Sequence, residues 1–456
     1  MILSNIFEPF IAKRPVCVMA RGILERLFDP THLDSLFART AQLGYTRQLH
    51  FSTLVTLMGH VVMGTQASVH AAYQAFEKSE ELVSLTAIYK KLDRVELAVS
   101  SAIVRESARQ AAPVIDQLSA RQAPWLPGYR CRILDGNHLA PTEHRIEPLR
   151  TVWDAPLPGK SLVVLDQERM LAEEVFLTED GHAQERSLLG SVLACIQEND
   201  LWIADRNFCT LGFLFGIVNR LGYFVIRQHG CLIGELQGVR KKKGRCDTGM
   251  MYEQIIVLTD PDTKQTKRFR RITVELDQPP RNGDKEIHIL TNLKRKEASS
   301  RKVAELYRKR WTIETAFQEI TVTLNCEIKT LGYPKAALFG FCLALMIYNG
   351  ISILKAGLRA VHGEETVQGK ISGYFLSLEI TGTYEGMMIA IPEEHWSIFR
   401  TMSVSELAEV IRELAGRLQL ERYQKHPRGP KKKFPPKERT TKGGNVSTIK
   451  LLNANK

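Results

Sequence analysis

Leu201-Trp-Ile-Ala-Asp205-Arg-Asn-Phe208 runs four residues of strand type into an acidic turn. The apolar stretch 211–221 then suits a helix, and Tyr223-Phe-Val-Ile-Arg227 suits a second strand. The same grammar stands upstream. Residues 130–134 end at Asp135-Gly-Asn-His138, Thr151-Val-Trp153 follows as a short run, and Ser161-Leu-Val-Val-Leu165 ends at Asp166. An amphipathic segment at 183–198 predicts the helix that leads into residue 201. Strands alternating with helices imply an α/β layer fold.

Working outward, residues 1–122 read as a helical domain. Apolar positions recur there at three- and four-residue steps, and the turn-rich segment 124–129 marks its boundary. Residues 230–283 are rich in turns and charges and read as a β-rich insertion, with strands expected at 254–258 and 269–276. A core strand resumes at 286–291, and Ser299-Ser300 caps one helix expected to run to residue 324. Helices at 334–357 and 404–422 belong to a C-terminal helical region, 331–422. Residues 423–456 form a basic tail, low in complexity from 427 to 444 and expected to be disordered.

The net charge of +12 is concentrated in two blocks. Residues 240–310 hold twenty Lys/Arg against ten acids, and residues 421–456 hold eleven against two, which leaves the rest of the chain acidic. Local basic clusters favour a polyanion, because phosphate binding releases counterions. Lys241, Lys242, Lys243, Arg268 and Arg270 are the candidate phosphate contacts within the first block. The eight cysteines contain no CxxC pair, which favours a reducing cytoplasm over a zinc module or a disulfide scaffold. Residues 336–354 carry no charge and reach membrane-spanning length, but Asn349, Gly350 and Ser352 within them favour a buried core helix, so no membrane partner is expected.

Asp135 and Asp205 each follow an apolar run of strand type. If the two strands are neighbours, both carboxylates leave the sheet at one edge. Downstream, Tyr307, Arg310 and Glu314 fall within roughly 60° of one another on a helix. Three carboxylates in proximity either protonate or bind a hard divalent cation such as Mg. Two such ions about 3.5–4 Å apart serve an in-line phosphoryl transfer. Asp166 reads as an ordinary strand-end turn residue and His138 as a turn histidine.

Leu134-Asp135-Gly, Ala204-Asp205-Arg-Asn-Phe and Tyr307-x2-Arg310-x3-Glu314 resemble the three acidic motifs of DDE transposases of bacterial insertion sequences, the IS-four type with a Tyr-Arg-Glu-Lys helix signature. The resemblance spans roughly residues 15–420. It implies a ribonuclease-H-like catalytic core in two parts, 123–229 and 284–330, interrupted by the β-rich insertion. It further implies two Mg ions, with Mn able to substitute, held by Asp135, Asp205 and Glu314, and DNA phosphates held by Tyr307 and Arg310. The implied partner is double-stranded DNA, both the element's terminal inverted repeats and the target, with a homodimer on paired ends. Thr321 stands where the family signature has Lys, and Lys329 and Lys335 are out of register. The insertion has no Trp, so Tyr252 or Phe269 would have to stack any flipped base. Two other readings share this chemistry: a nuclease on the same core without strand transfer, and a chemically silent DNA-binding protein derived from a transposase.

Overall fold

In the computed structural model the described residues are 3–42, 49–76, 83–278, 283–373, 379–380, 382, 387, 390–425 and 444–454. Their strands are β1 (Arg130–His138), β2 (Ala155–Leu157), β3 (Lys160–Asp166), β4 (Leu171–Thr178), β5 (Asp200–Ala204), β6 (Tyr223–Arg227), β7 (Glu235–Cys246), β8 (Gly249–Thr259), β9 (Thr266–Leu276), β10 (Glu286–Thr291) and β11 (Asn445–Ser447). Nine of them form one sheet in the order β4-β3-β1-β5-β6-β10-β9-β8-β7. β1, β5 and β6 are parallel, while the pairs on either side of this trio are antiparallel.

Sequence composition follows this position in the sheet. β5 lies between two parallel neighbours and is buried at all five residues, which is why Leu201-Trp-Ile-Ala reads as an unbroken apolar run. β7, at the far edge, is exposed almost throughout and carries Lys241, Lys242 and Lys243. Its pairing with β8 slips between Gln237 and Lys241 and again between Lys242 and Gly244, beside Gly238 and Gly244 with φ of 73° and 87°. Lysines and bulges of this kind discourage edge-to-edge pairing with another chain.

One face of the sheet (Ile133, Val163, Leu165, Leu171 and Val175) packs on helices from both ends of the chain. These include Pro15–Leu27, Leu97–Gln117, the long helix Pro334–His362 and Val404–Gly416. Farther along the same face, Ile203, Val225 and Ile289 pack on Val303 and Leu306 of the helix Ser300–Arg308. The opposite face (Leu134, Val164, Trp202 and Phe224) is covered by Leu189–Ala194 and Leu211–Asn219. The product is an α/β/α sandwich.

This packing relates the segments to one another and corrects some local expectations. Helices of the segments 1–122 and 331–422 contribute to one core, because both bury the same sheet face. The insertion 230–283 extends the main sheet, since β9 pairs with β10 and β10 with β6. The helix expected over 299–324 is two helices, Ser300–Arg308 and Trp311–Thr323, joined by a tight turn in which the Arg310 N–H donates to the Tyr307 carbonyl at 3.0 Å. Residues 151–153 form no strand, and the 183–198 segment holds only Glu185–Leu188 and Leu189–Ala194 as helical turns. Within the tail, 426–443 lies outside the described residues, but β11 pairs in parallel with β2 and the helix Thr448–Ala454 follows it.

The uncharged stretch belongs to Pro334–His362, a helix long and apolar enough to cross a membrane by length and composition, yet nearly all of its most apolar part is packed inside. Its polar residues account for themselves there. Asn349 accepts from the Ala172 N–H at 2.8 Å and donates to the Ala172 carbonyl and the Ser107 hydroxyl, while Ser352 donates to the Met170 carbonyl at 2.7 Å. The helix is thereby tied to β4, and the buried Asn349 amide is paired through both its oxygen and its nitrogen.

Candidate active site

β1 and β5 run in parallel with Leu134 opposite Ala204, so the next residues, Asp135 and Asp205, are neighbours across the ladder. The two carboxylates share one edge of the sheet, as their positions after apolar runs imply. β1 itself does not stop at Asp135. It continues to His138, paired with β3 as far as Lys160, and Asp135 marks the point where β1 outruns β5. Asp205 opens the turn Arg206–Phe208 and accepts the Phe208 N–H on its backbone carbonyl at 3.1 Å.

The paired helices Ser300–Arg308 and Trp311–Thr323 lie over these two residues. The Tyr307 hydroxyl, on a buried ring, donates to Asp205 Oδ1 at 3.2 Å. Arg310 sits in the turn between the helices and is 6% exposed. Its guanidinium donates to Asp135 Oδ2 at 3.0 Å and to Glu314 Oε1 at 2.8 Å. Glu314 is therefore joined to Asp135 through a buried cation, and Glu314 itself is 43% exposed.

The electrostatics reflect this crowding. Burial raises the Asp135 carboxyl, Arg310 and the Gly136 N–H lower it, and Glu314 and Asp205 raise it again, leaving it pushed up to about 6. Burial opposes the Arg310 charge, but Asp135, Tyr307 and Asp205 outweigh it and hold the guanidinium above its ordinary value. Burial, then Asp205, raises the Tyr307 phenol, which stays a hydrogen-bond donor.

Among the described residues no three carboxylate, imidazole or thiol side chains stand close enough to hold one ion as they are, and the Arg310 guanidinium lies between Asp135 and Glu314. The donor chemistry fits a hard divalent cation all the same. The donors are carboxylate oxygens only, and Asp135 is a buried acid whose ionised form lacks full compensation.

The other residues singled out from sequence divide. Lys241, Lys242, Lys243 and Arg268 are exposed on the β7–β9 meander, where they can meet phosphates. Arg270 cannot. It is 7% exposed, pairs through one terminal and the inner nitrogen with Glu253, and donates to the carbonyls of Leu293 and Ala298; Arg268, on the same face of β9 but past the end of the β10 pairing at Thr291, is exposed. Phe269 is a core residue packed edge-on against Phe215 and Phe224 and cannot stack a base, whereas Tyr252 lies under Arg240 at 4.1 Å. The Tyr307 hydroxyl and the two terminal nitrogens of Arg310 are directed at the acids. Thr321 donates to the Phe317 carbonyl in its own helix. Asp166 is buried between Arg132 and Arg169, away from the acids of the site. His138 is the exposed residue at the end of β1, 3.5 Å from Glu185. Glu185 and Asn207, which contact the residues flanking the two aspartates, were missed; they lie in a polar stretch and a turn with no spacing signal of their own.

Fold and site together define an α/β protein with an acidic site at one edge of a mixed sheet. Residues 157–349 match the transposase DDE domain family, a span that includes Asp205, Tyr307, Arg310 and Glu314 and begins after Asp135. The match supports a transposase DDE domain over those residues. No curated protein matches the chain. Among solved structures it is similar to a piggyBac transposase synaptic complex with hairpin DNA, seen by cryo-electron microscopy, at 12% sequence identity over 84% of each chain with a TM-score of 0.39.

Proposed function

We propose that this chain is a DNA transposase of the DDE class, of the insertion-sequence IS-four type, which cuts DNA at the ends of its element and joins the freed 3′-hydroxyl to target DNA. The observation that carries the reading is the register of β1 and β5, which sets Asp135 beside Asp205, with Glu314 tied to Asp135 through Arg310. The family match over Asp205 and Glu314 supports it. The mixed strands β4-β3-β1-β5-β6, with acids at the ends of neighbouring parallel strands, support a ribonuclease-H-like core.

In this reading Asp135, Asp205 and Glu314 would hold Mg, or Mn in its place. When bound, the metal supplies the charge that an in-line phosphoryl transfer requires at its attacking and leaving oxygens. The protein's part is orientation. Tyr307 fixes Asp205 by its hydroxyl, and Arg310 holds Asp135 and Glu314 at a set separation while screening their repulsion. Lys241, Lys242, Lys243 and Arg268 draw the DNA backbone along the β7 side of the sheet, a sequence-independent contribution that weakens with salt. Two copies on paired ends complete the proposal.

The test uses a duplex carrying the inverted repeats that flank the reading frame, incubated with the purified chain and Mg. Cleavage at the repeat ends and joining of the 3′ ends to a plasmid is the expected result. Cleavage without joining would reduce the protein to a nuclease, and no cleavage in either Mg or Mn would remove the reading.

A further inference from the structure

Glu185 belongs to a short helical turn outside the acidic site, yet three features bring its carboxylate to residues close in sequence to both aspartates. Its Oε2 accepts from the Asn207 side-chain amide at 2.5 Å, two residues after Asp205. Its Oε1 lies 3.5 Å from His138 Nδ1 at the end of β1. It also fills the space beside Gly136, where a Cβ would come within 2.4 Å of Oε1. The next residue reinforces the grip, because Arg186 Nε donates to the Asn207 backbone carbonyl at 2.7 Å. Glu185 is 12% exposed, so its carboxylate is largely committed to these contacts.

The geometry has a direct consequence. Successive side chains on a strand point to opposite faces, so Asp135 faces Arg310 while the Gly136 position faces Glu185. Glu185 therefore touches the sheet edge from the side away from the acids. It links the end of β1 to the turn Arg206–Phe208, two segments that no strand pairing joins beyond Leu134 and Ala204. Glu185 is the contact that ties this turn to the end of β1, whereas Tyr307 on Asp205, Arg186 on the Asn207 carbonyl and the buried Phe208 hold it to other elements.

We infer that Glu185 is a positioning residue: by clamping Asn207 against the end of β1, it fixes the separation of Asp135 and Asp205 and so the affinity of the pair for a divalent cation. The inference rests on the proposed role of the aspartates. Outer contacts of this kind typically change metal affinity about 10- to 100-fold.

The experiment is calorimetric titration of the full chain with MnCl2, with metal-free melting temperatures as a check on folding. Glu185→Ala is expected to weaken Mn binding by about tenfold or more. Asn207→Ala, which cuts the link from its other end, should do the same, and so should Gly136→Ala, which displaces the intact carboxylate. Glu185→Gln retains an acceptor for the Asn207 amide and should keep near the native affinity. Native affinity in Glu185→Ala would overturn the inference, as would Glu185→Gln binding as weakly as Glu185→Ala, since charge rather than the clamp would then be responsible. Mn binding that Asp205→Asn leaves unchanged would instead overturn the reading of the acids themselves, and the inference with it.

Discussion

Replacing Asp135 with Asn should stabilise the metal-free protein near neutral pH, and the gain should vanish in acid. The Asp135 side chain is 16% exposed, and its carboxyl is pushed from 3.8 up to about 6, first by burial and then by Glu314 and Asp205, against the help of Arg310. A rise of roughly two units corresponds to about 3 kcal/mol of differential interaction. Because the folded state holds this proton more tightly than the unfolded chain, the favourable contribution is complete below pH 3.8. It is lost as the pH rises to about 6 and stays lost above it. Asn does not titrate. Between about pH 4.5 and 7.5 the variant should gain about 2 kcal/mol relative to the native chain, which for a protein of this length is roughly a 2 °C change in the difference of melting temperatures. Scanning calorimetry of both proteins in EDTA measures it. A difference that does not change with pH, or that moves against the variant at higher pH, would refute the picture of a buried and poorly compensated carboxylate.

Asp166 is held below the usual carboxylate range by Arg132 and Arg169 despite its burial, so Asp166→Asn should cost about 3–5 kcal/mol in urea unfolding while cleavage per folded molecule stays near normal. The native advantage should shrink as the pH falls through the depressed folded value. Arg270→Gln should likewise unfold more easily, whereas Gln at Lys241, Lys242 and Lys243 together should leave melting unchanged and lower DNA affinity with a shallower salt dependence, measured by fluorescence anisotropy. Ending the chain after Lys425 should weaken binding to all DNA sequences alike, and it should also expose the β1–β3 connection to proteolysis, because β2 loses β11.

The acids were legible in the sequence because each aspartate follows an apolar run and Glu314 lies at helical spacing from Tyr307 and Arg310. That these strands are adjacent was a conditional statement, since parallel register is set by helices that pair no residues locally. The three-strand extension of the sheet was half visible. β8 and β9 show apolar alternation, but β7 is hydrophilic along nearly its whole length, and only its pairing with β8 makes it a strand. Arg270 differs from its neighbours in the basic cluster because a run of basic residues does not show where a neighbouring strand ends: Arg268 and Arg270 share a face of β9, but the first lies past the end of β10 and the second lies beside Glu253. The break before Trp311 carries neither Gly nor Pro, so nothing local signalled it. Glu185 is found only in three dimensions, through a contact with Asn207 across 22 residues.

The most direct measurement of the central claim is Mg-dependent cleavage by three single variants, Asp135→Asn, Asp205→Asn and Glu314→Gln, with DNA-end binding followed in parallel. Each should lose nearly all cleavage, because a missing carboxylate misplaces the charge that the transfer requires, while end binding survives on phosphate contacts elsewhere. A Glu314→Gln protein that still cuts in Mg, or an aspartate variant that loses cleavage only in proportion to lost DNA binding, would contradict the account.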